Sequence, residues 1–268
     1  MSTAHPAILD APPPSERGAH HLEHVMGTAV GFDIRDAAGA DGLDAAVAWL
    51  HHVDETFSTY RLESPISRLG RGELGLDGVS EEVRSVLLLC ERLRHETNGA
   101  FDALAVPAPN GTNLDPSGVV KGWAIERAAE ILERHGHTGF LINGGGDIAV
   151  RGLAAPGRPW TIGVRHPHDA GAVVATIEAS GPFAVATSGT YERGAHIIDP
   201  FNGLPIADLA SVTVTGPDLT FADAYATAVF VMGEVGLEWL AERPGYAGCV
   251  ITHDGDMRTT ANWPRPGA

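Results

Sequence analysis

The chain is short of positive charge. Its 268 residues carry 18 Lys and Arg against 34 Asp and Glu, a formal net charge of −16. Nucleic-acid surfaces neutralise phosphates with clustered Lys and Arg, so that class of partner is excluded. One small phosphate-containing ligand is not excluded, because a few local donors and a metal ion can hold it. Cysteine is scarce as well. Cys90 in "VLLLCERL" and Cys249 in "GCVIT" match no metal-ligating or redox spacing and read as buried core thiols. No stretch approaches the ~20 apolar residues of a membrane span. The opening "MSTAHPAILDAPPPSERGAHHLEH" has neither the basic start nor the apolar centre of a signal peptide. With Pro12 to Pro14 and scattered His, residues 1–23 read as a flexible tail, and a cytoplasmic protein is expected.

What is present is an ordinary globular composition, 44% hydrophobic and 19% charged. "HVMGTAVGFDIRD" (24–36) alternates as a strand does. "DGLDAAVAWLHHVDETFSTY" (41–60) places Leu43, Val47, Leu50 and Phe57 at helical spacing. "SEEVRSVLLLCERLRHETNG" (80–99) reads as a helix with Ser80 as N-cap, Glu81 and Glu82 in the first turn and Gly99 beyond its end. "VVKGWAIERAAEILERHG" (119–136) is a further helix stopped by Gly136. Short strand-like runs follow, separated by Gly, Pro and Asp. A helical pair, "FADAYATAVFVMGEVGLEWLAER", and a last strand close the chain. Helices first and strands later favour an α+β fold over a regular alternating wind. No linker divides residues 24–268, which read as one domain. The loop "PAPNGTNLDPSG" (107–118) is long enough to be functional.

Four polar or Gly-rich stretches interrupt this apolar context. In "NLDPSGVVKGWA", Asp115 closes a turn, Gly118 frees a backbone carbonyl and Lys121 lies in the first turn of a helix, which together suit an anion. The plain alternative makes Asp115 and Ser117 ordinary caps and Lys121 a solvated charge. "INGGGDIAVRG" sets Asn143, three glycines and Asp147 after an apolar run; it reads as a hairpin turn or a close backbone approach. It is not GxGxxG and no helix follows, so a Rossmann site is excluded. In "ATSGTYERGAHIIDP", Thr187, Ser188, Gly189 and Thr190 offer hydroxyls and amides after a strand, and Arg193 adds a fork for phosphate. His196 and Asp199 flank two isoleucines there. "FADAYATA" (221–228) puts Asp223 and Thr227 on one face of a buried helix. These are hard oxygen donors that suit Mg²⁺, unless Asp223 only caps its own helix and Thr227 bonds back into it.

Taken together these stretches resemble the ApbE family of flavin transferases, the FAD:protein FMN transferases. The ordered set is "MGT" (26–28), "FSTYRLESPISRL" (57–69), "GAFD" (99–102), "DPSGVVKGWA" (115–124), "INGGGDI" (142–148), "ATSGTYER" (186–193), "HIIDP" (196–200) and "ADAYATAVFVMG" (222–233), across about residues 25–235. The resemblance implies a single T-shaped α+β domain with mixed sheets and packed helices that takes FAD as substrate with Mg²⁺. It implies transfer of the FMN half of FAD to a Thr or Ser hydroxyl of an acceptor redox protein, with AMP released. By position, Met26, Tyr60, Ala100, Phe101, Asp102, Asp115, Lys121 and Ile198 correspond to FAD contacts. Thr187, Ser188 and Gly189, joined by Arg193, correspond to phosphate-holding groups, and the Gly118 carbonyl, Asp223 and Thr227 to metal ligands. Some relatives carry a second Asp immediately before the metal-binding Thr, where this chain has Ala226. Many are exported lipoproteins, whereas no export signal opens this chain.

The implied reaction is attack of a hydroxyl on the FMN phosphorus, which rests on positioning and charge neutralisation. Lys121 supplies fixed positive charge. His196 is the candidate base, since a neutral imidazole near pH 7 can take the hydroxyl proton, with Asp199 as its orienting partner. Two alternatives share these residues: a Mg²⁺-dependent FAD pyrophosphatase giving FMN and AMP, and a non-catalytic FAD carrier.

Overall fold

The computed structural model describes residues 18–36, 41–190, 197–206 and 208–264. The chain opens with β1 (Ala19–Val25) and β2 (Thr28–Ile34) and then turns helical through α1 (Asp41–Phe57), α2 (Pro65–Gly70), α3 (Glu81–Glu96) and α4 (Ser117–Arg134). Strands β3 (Phe140–Gly144), β4 (Asp147–Arg151), β5 (Trp160–His166), β6 (Asp169–Ala179), β7 (Phe183–Gly189) and β8 (Leu209–Gly216) follow. Next come α5 (Leu219–Met232) and α6 (Gly236–Ala241), and β9 (Ala247–Thr252) and β10 (Met257–Thr259) complete the order. Among the described residues, eight strands form one sheet in the order β1-β2-β3-β4-β7-β8-β9-β10, while β5 and β6 pair apart as a hairpin. Every pairing between these strands is antiparallel. The fold class is α+β as expected, with antiparallel sheets where mixed ones were anticipated.

Two boundaries differ from the reading of the sequence. The run 24–36 is not one strand: Met26 (φ 53°) and Gly27 (φ 70°) reverse the chain between β1 and β2. Two successive residues at positive φ make the turn whose twist matches that of a hairpin, and a methionine gives no turn signal. Residues 19–23, placed in the tail, therefore belong to β1; residues 1–17 lie outside the described residues.

The period of two along each strand sorts side chains to two faces. Phe140, Ile142, Ala149, Ala184 and Ala186 face a core shared with the helices. Leu141, Ile148, Val150 and Val185 face a second core capped by Trp160, Ile162, Val164 and Ile177 of the β5–β6 hairpin. The sheet is thus covered on both sides, and β8 is buried along its whole length. Both cysteines lie in these cores, and burial pushes their thiols up to about 12. Thiolate chemistry is therefore absent from both.

α5 is apolar all round because it lies in the middle of the molecule, packed on α4, β7 and β8. Its alanines 222, 224, 226 and 228 are fully buried, and small side chains on helix and sheet let the backbones approach. The tightest approach is at Gly122 of α4. A β-carbon there would lie 2.6 Å from the Leu219 carbonyl oxygen and 2.7 Å from the Asp223 β-carbon. Glycine in a helix interior costs roughly 1 kcal/mol against alanine, so this position gives up helix propensity for contact. Gly122→Ala is expected to destabilise the fold by roughly 1–3 kcal/mol through overpacking, read as a lower denaturation midpoint. Unchanged or raised stability would remove the close approach as the reason for this glycine.

Candidate functional site

The polar groups that interrupt the apolar pattern meet where α4, α5, β4 and β7 come together. The cap of α5 is Asp218, whose side chain accepts from the Thr220 amide at 2.7 Å. Asp223, one turn further in, is therefore not the cap of its helix. It is buried, and its Oδ2 accepts the Gly122 amide of α4 at 2.9 Å. That amide is the donor a regular helix gives to the Gly118 carbonyl four residues back, so the Gly118 oxygen has at best a shared donor. Lys121 Nζ lies 3.8 Å from Asp223 Oδ1 and pairs closely with Asp147 Oδ2 at the head of β4. The other Asp147 oxygen accepts the Thr187 amide at 3.1 Å. Thr187 Oγ1 meets Thr213 Oγ1 at 3.0 Å, and Ser188 Oγ lies 3.4 Å from Thr227 Oγ1 on α5.

A second tether holds α4, α5 and β4 in this arrangement. Glu126 of α4 pairs with Arg151 of β4 and accepts the Leu219 amide at the start of α5 at 2.9 Å. Burial pushes the Glu126 carboxyl above its ordinary range, against the pull of Arg151 and the Leu219 amide. The Arg151 guanidinium stays charged: burial lowers its affinity for the proton, and Glu126 and Glu133 more than offset this.

Two hairpin turns sit side by side at one end of the sheet. Gly145 (φ 63°) and Gly146 (φ 100°) connect β3 to β4, and Asn143 Oδ1 accepts the Gly146 amide at 3.0 Å. A β-carbon on Gly145 would lie 2.7 Å from Thr28 Oγ1, which follows the Met26–Gly27 turn. Met26 holds a left-handed backbone that a long side chain seldom adopts. "MGT" and "INGGGD" are thus brought together, and the glycine run is both a hairpin turn and a close approach.

Ala100 and Phe101 are buried beside the start of α4, where the Phe101 ring is 3.1 Å from the place of a β-carbon on Gly118. Asp102 accepts the Leu104 amide and Asp115 the Ser117 amide, so both shape the loop as turn and cap. The 107–118 loop is pinned to α2 by Asn110 Nδ2, which donates to Ser67 Oγ at 3.0 Å. Ile198 pairs with Pro205, and Phe201 in the same hairpin lies against Gly99. The two Asp199 carboxylate oxygens accept from the Phe201 amide at 2.8 Å and Asn202 Nδ2 at 2.6 Å, which shapes its turn. Tyr60 has 84% of its surface exposed. Arg193 and His196 lie outside the described residues.

The ApbE family model matches residues 26–111 and 104–251. The chain belongs to the ApbE family. Its fold superposes on the flavin transferase ApbE from Vibrio cholerae with a TM-score of 0.80 and 25% identity, covering 93% of this chain and 98% of that one. The ApbE protein from Thermotoga maritima shares the fold at a TM-score of 0.81 and 24% identity, over 91% and 97% of the two chains. The FAD:protein FMN transferase of Escherichia coli K12 is 34% identical over 163 residues, 57% of this chain and 46% of that protein. That of Treponema pallidum is 36% identical over 172 residues, 58% and 48% of the two. The chain thus spans about half the length of these two curated relatives. The transferase of Vibrio cholerae is 29% identical over 238 residues, 69% of this chain and 71% of its own length.

Among the described residues, no three or more His, Cys, Asp and Glu side chains converge as a metal site. No described helix is long and apolar enough to cross a membrane. Of the residues expected to hold a metal, Asp223 and Thr227 share a helix face, with Ser188 beside Thr227, and Asp223 is tied to α4 at Gly122, one turn after Gly118. All are oxygen donors, which fits Mg²⁺, and one carboxylate leaves most coordination to water and substrate oxygens. Ala226 is fully buried in the core. Sequence reasoning passed over Asp147 and Gly122 as site residues. It also passed over a usable signal: Lys121 is the only lysine of the chain. Asp223→Ala leaves the buried Gly122 amide without its acceptor and is expected to cost about 1–3 kcal/mol. Asp223→Asn keeps an oxygen there and should retain most of that stability. Equal denaturation midpoints for the two variants would contradict the bond.

Proposed function

We propose that this chain is an FAD:protein FMN transferase that moves FMN from FAD to a Thr or Ser hydroxyl of an acceptor redox protein, releasing AMP. The observation that carries this is the meeting of the only lysine, the Asp223–Thr227 stripe and the hydroxyl-rich end of β7 in a chain of the ApbE family. Relatives named FAD:protein FMN transferase support the activity. A protein of net charge −16 needs local positive charge to accept an anionic pyrophosphate. Lys121 beside the start of α4 supplies one such charge against Asp147 and Asp223, and a divalent metal ion held there would add to it.

In this reading Met26, Tyr60, Ala100, Phe101, Asp102, Asp115 and Ile198 contact FAD, while Thr187, Ser188, Gly189 and Arg193 hold its phosphates. The Gly118 carbonyl, Asp223 and Thr227 are the groups that would hold Mg²⁺. Bound there, Mg²⁺ supplies charge neutralisation for the pyrophosphate and the departing AMP. Lys121 keeps its ammonium fixed in the site, and the end of β7 presents hydroxyls and amides to the phosphates. The acceptor oxygen forms a bond to the FMN phosphorus as the bond from that phosphorus to the AMP oxygen breaks. The hydroxyl proton passes to His196. The Asp199 carboxylate shapes the hairpin that follows His196.

The test is incubation of the protein with FAD, Mg²⁺ and a Thr-containing acceptor peptide, followed by mass spectrometry. A flavin-phosphate adduct on the hydroxyl residue with one AMP released per adduct is expected. Free FMN and AMP beside an unmodified series of acceptors would make the protein a pyrophosphatase; intact FAD would make it a carrier. His196→Ala should slow transfer by ~10²–10⁴-fold, the usual worth of general-base help, with FAD binding retained. Transfer at the normal rate in that variant would remove His196 from the mechanism.

A further inference from the structure

Asp147 is a fully buried carboxylate that the reaction above does not use. A carboxylate in that setting needs partners, and it has two: Lys121 Nζ on one oxygen and the Thr187 amide at 3.1 Å on the other. The same ammonium stands 3.8 Å from Asp223 Oδ1. One cation therefore faces two acidic groups, and the nearer holds it. The arrangement has a consequence for Asp223. An ammonium in full contact with that oxygen would neutralise the carboxylate and block the approach of another cation.

We propose that Asp147 is a positioning residue that anchors the Lys121 ammonium and so keeps Asp223 available to a divalent metal ion. This deepens the reading of Asp223 and Thr227 as metal ligands and rests on it. The geometry divides the work by distance. Asp147 lies at the head of β4 behind the phosphate-holding end of β7, so it holds the lysine on the sheet side of the site. Asp223 lies on α5, where its Oδ2 is already fixed by Gly122. Its Oδ1 is the oxygen that the ammonium would reach if released. Without the charge on Asp147, Asp223 remains as the acid of this pair facing Lys121. The pull between unit charges a few ångströms apart near a protein surface is of the order of kcal/mol, enough to compete with a metal held by one carboxylate.

The substitution that isolates this role is Asp147→Asn, because the asparagine oxygen can still accept the Thr187 amide while its charge is lost. Binding of Mn²⁺ in place of Mg²⁺ would be followed from the paramagnetic resonance of the free ion, on the full chain with FAD present. The proteins compared are the wild type, Asp147→Asn, Lys121→Gln, the double variant and Asp223→Asn. Asp147→Asn should raise the half-saturating Mn²⁺ concentration by ~10–100-fold, the range seen when a group that orients a metal ligand is removed. The double variant should return it close to the wild-type value, because the competing ammonium is gone. Wild-type binding in Asp147→Asn overturns the inference and leaves the metal reading standing. A double variant as weak as Asp147→Asn also overturns it, since the loss would then be structural. If Asp223→Asn binds Mn²⁺ as the wild type does, the metal reading fails and the inference fails with it.

Discussion

The bond from the Gly122 amide to the Asp223 carboxylate is the contact on which the rest of the site depends. It joins α4 to α5 across a crossing so close that a single added carbon on Gly122 would meet the Leu219 carbonyl. The bond fixes one Asp223 oxygen and sets Lys121, the residue adjacent to Gly122, between two carboxylates. Thr227 follows one turn along α5, where Ser188 meets it from the sheet. Glu126 and Arg151 hold the same three elements from below the site and brace the start of α5. Loosening that crossing would displace three candidate ligands at once.

Charge is distributed with economy. The molecule is acidic overall and carries only one lysine, and that lysine is half-buried against Asp147. The buried acids are each answered by a donor: Asp147 by Lys121 and Thr187, Asp223 by Gly122, and Glu126 by Arg151 and Leu219. Such pairing is what burial of polar groups requires, and here the partners come from different elements. The site is therefore assembled only when the helices have docked on the sheet.

Much of this was legible in the sequence where the signal is local. Ser80 caps α3 by accepting the Val83 amide, and Gly99 and Gly136 follow helices at φ 88° and 90°, as their positions in the pattern implied. Short strand-like runs between Gly, Pro and Asp turns marked β3, β4, β7 and β8. The ordered motifs already carry the family resemblance in the sequence itself. What was not legible depends on contacts far apart in the chain. Gly122 looks like a weak point in a helix until Leu219 and Asp223, about a hundred residues later, are brought onto it. Asp147 looks like the end of a turn until Lys121 and Thr187 arrive from other elements. Met26 hid a hairpin turn, because its left-handed backbone has no counterpart in residue preference. Asp199 was read as a partner for His196; within the described residues its carboxylate also accepts from Phe201 and Asn202 of its own turn, which the sequence did not announce.

The central claim is that the α4–α5 crossing presents oxygen atoms to a divalent metal at the pyrophosphate of FAD. The most direct measurement is the anomalous diffraction of Mn²⁺ in crystals of the protein with FAD bound. The expected result is a peak within coordination distance of Asp223 Oδ1, Thr227 Oγ1 and the Gly118 carbonyl, beside the FAD phosphates. A peak elsewhere, or FAD bound in place with no peak against Asp223, would contradict it.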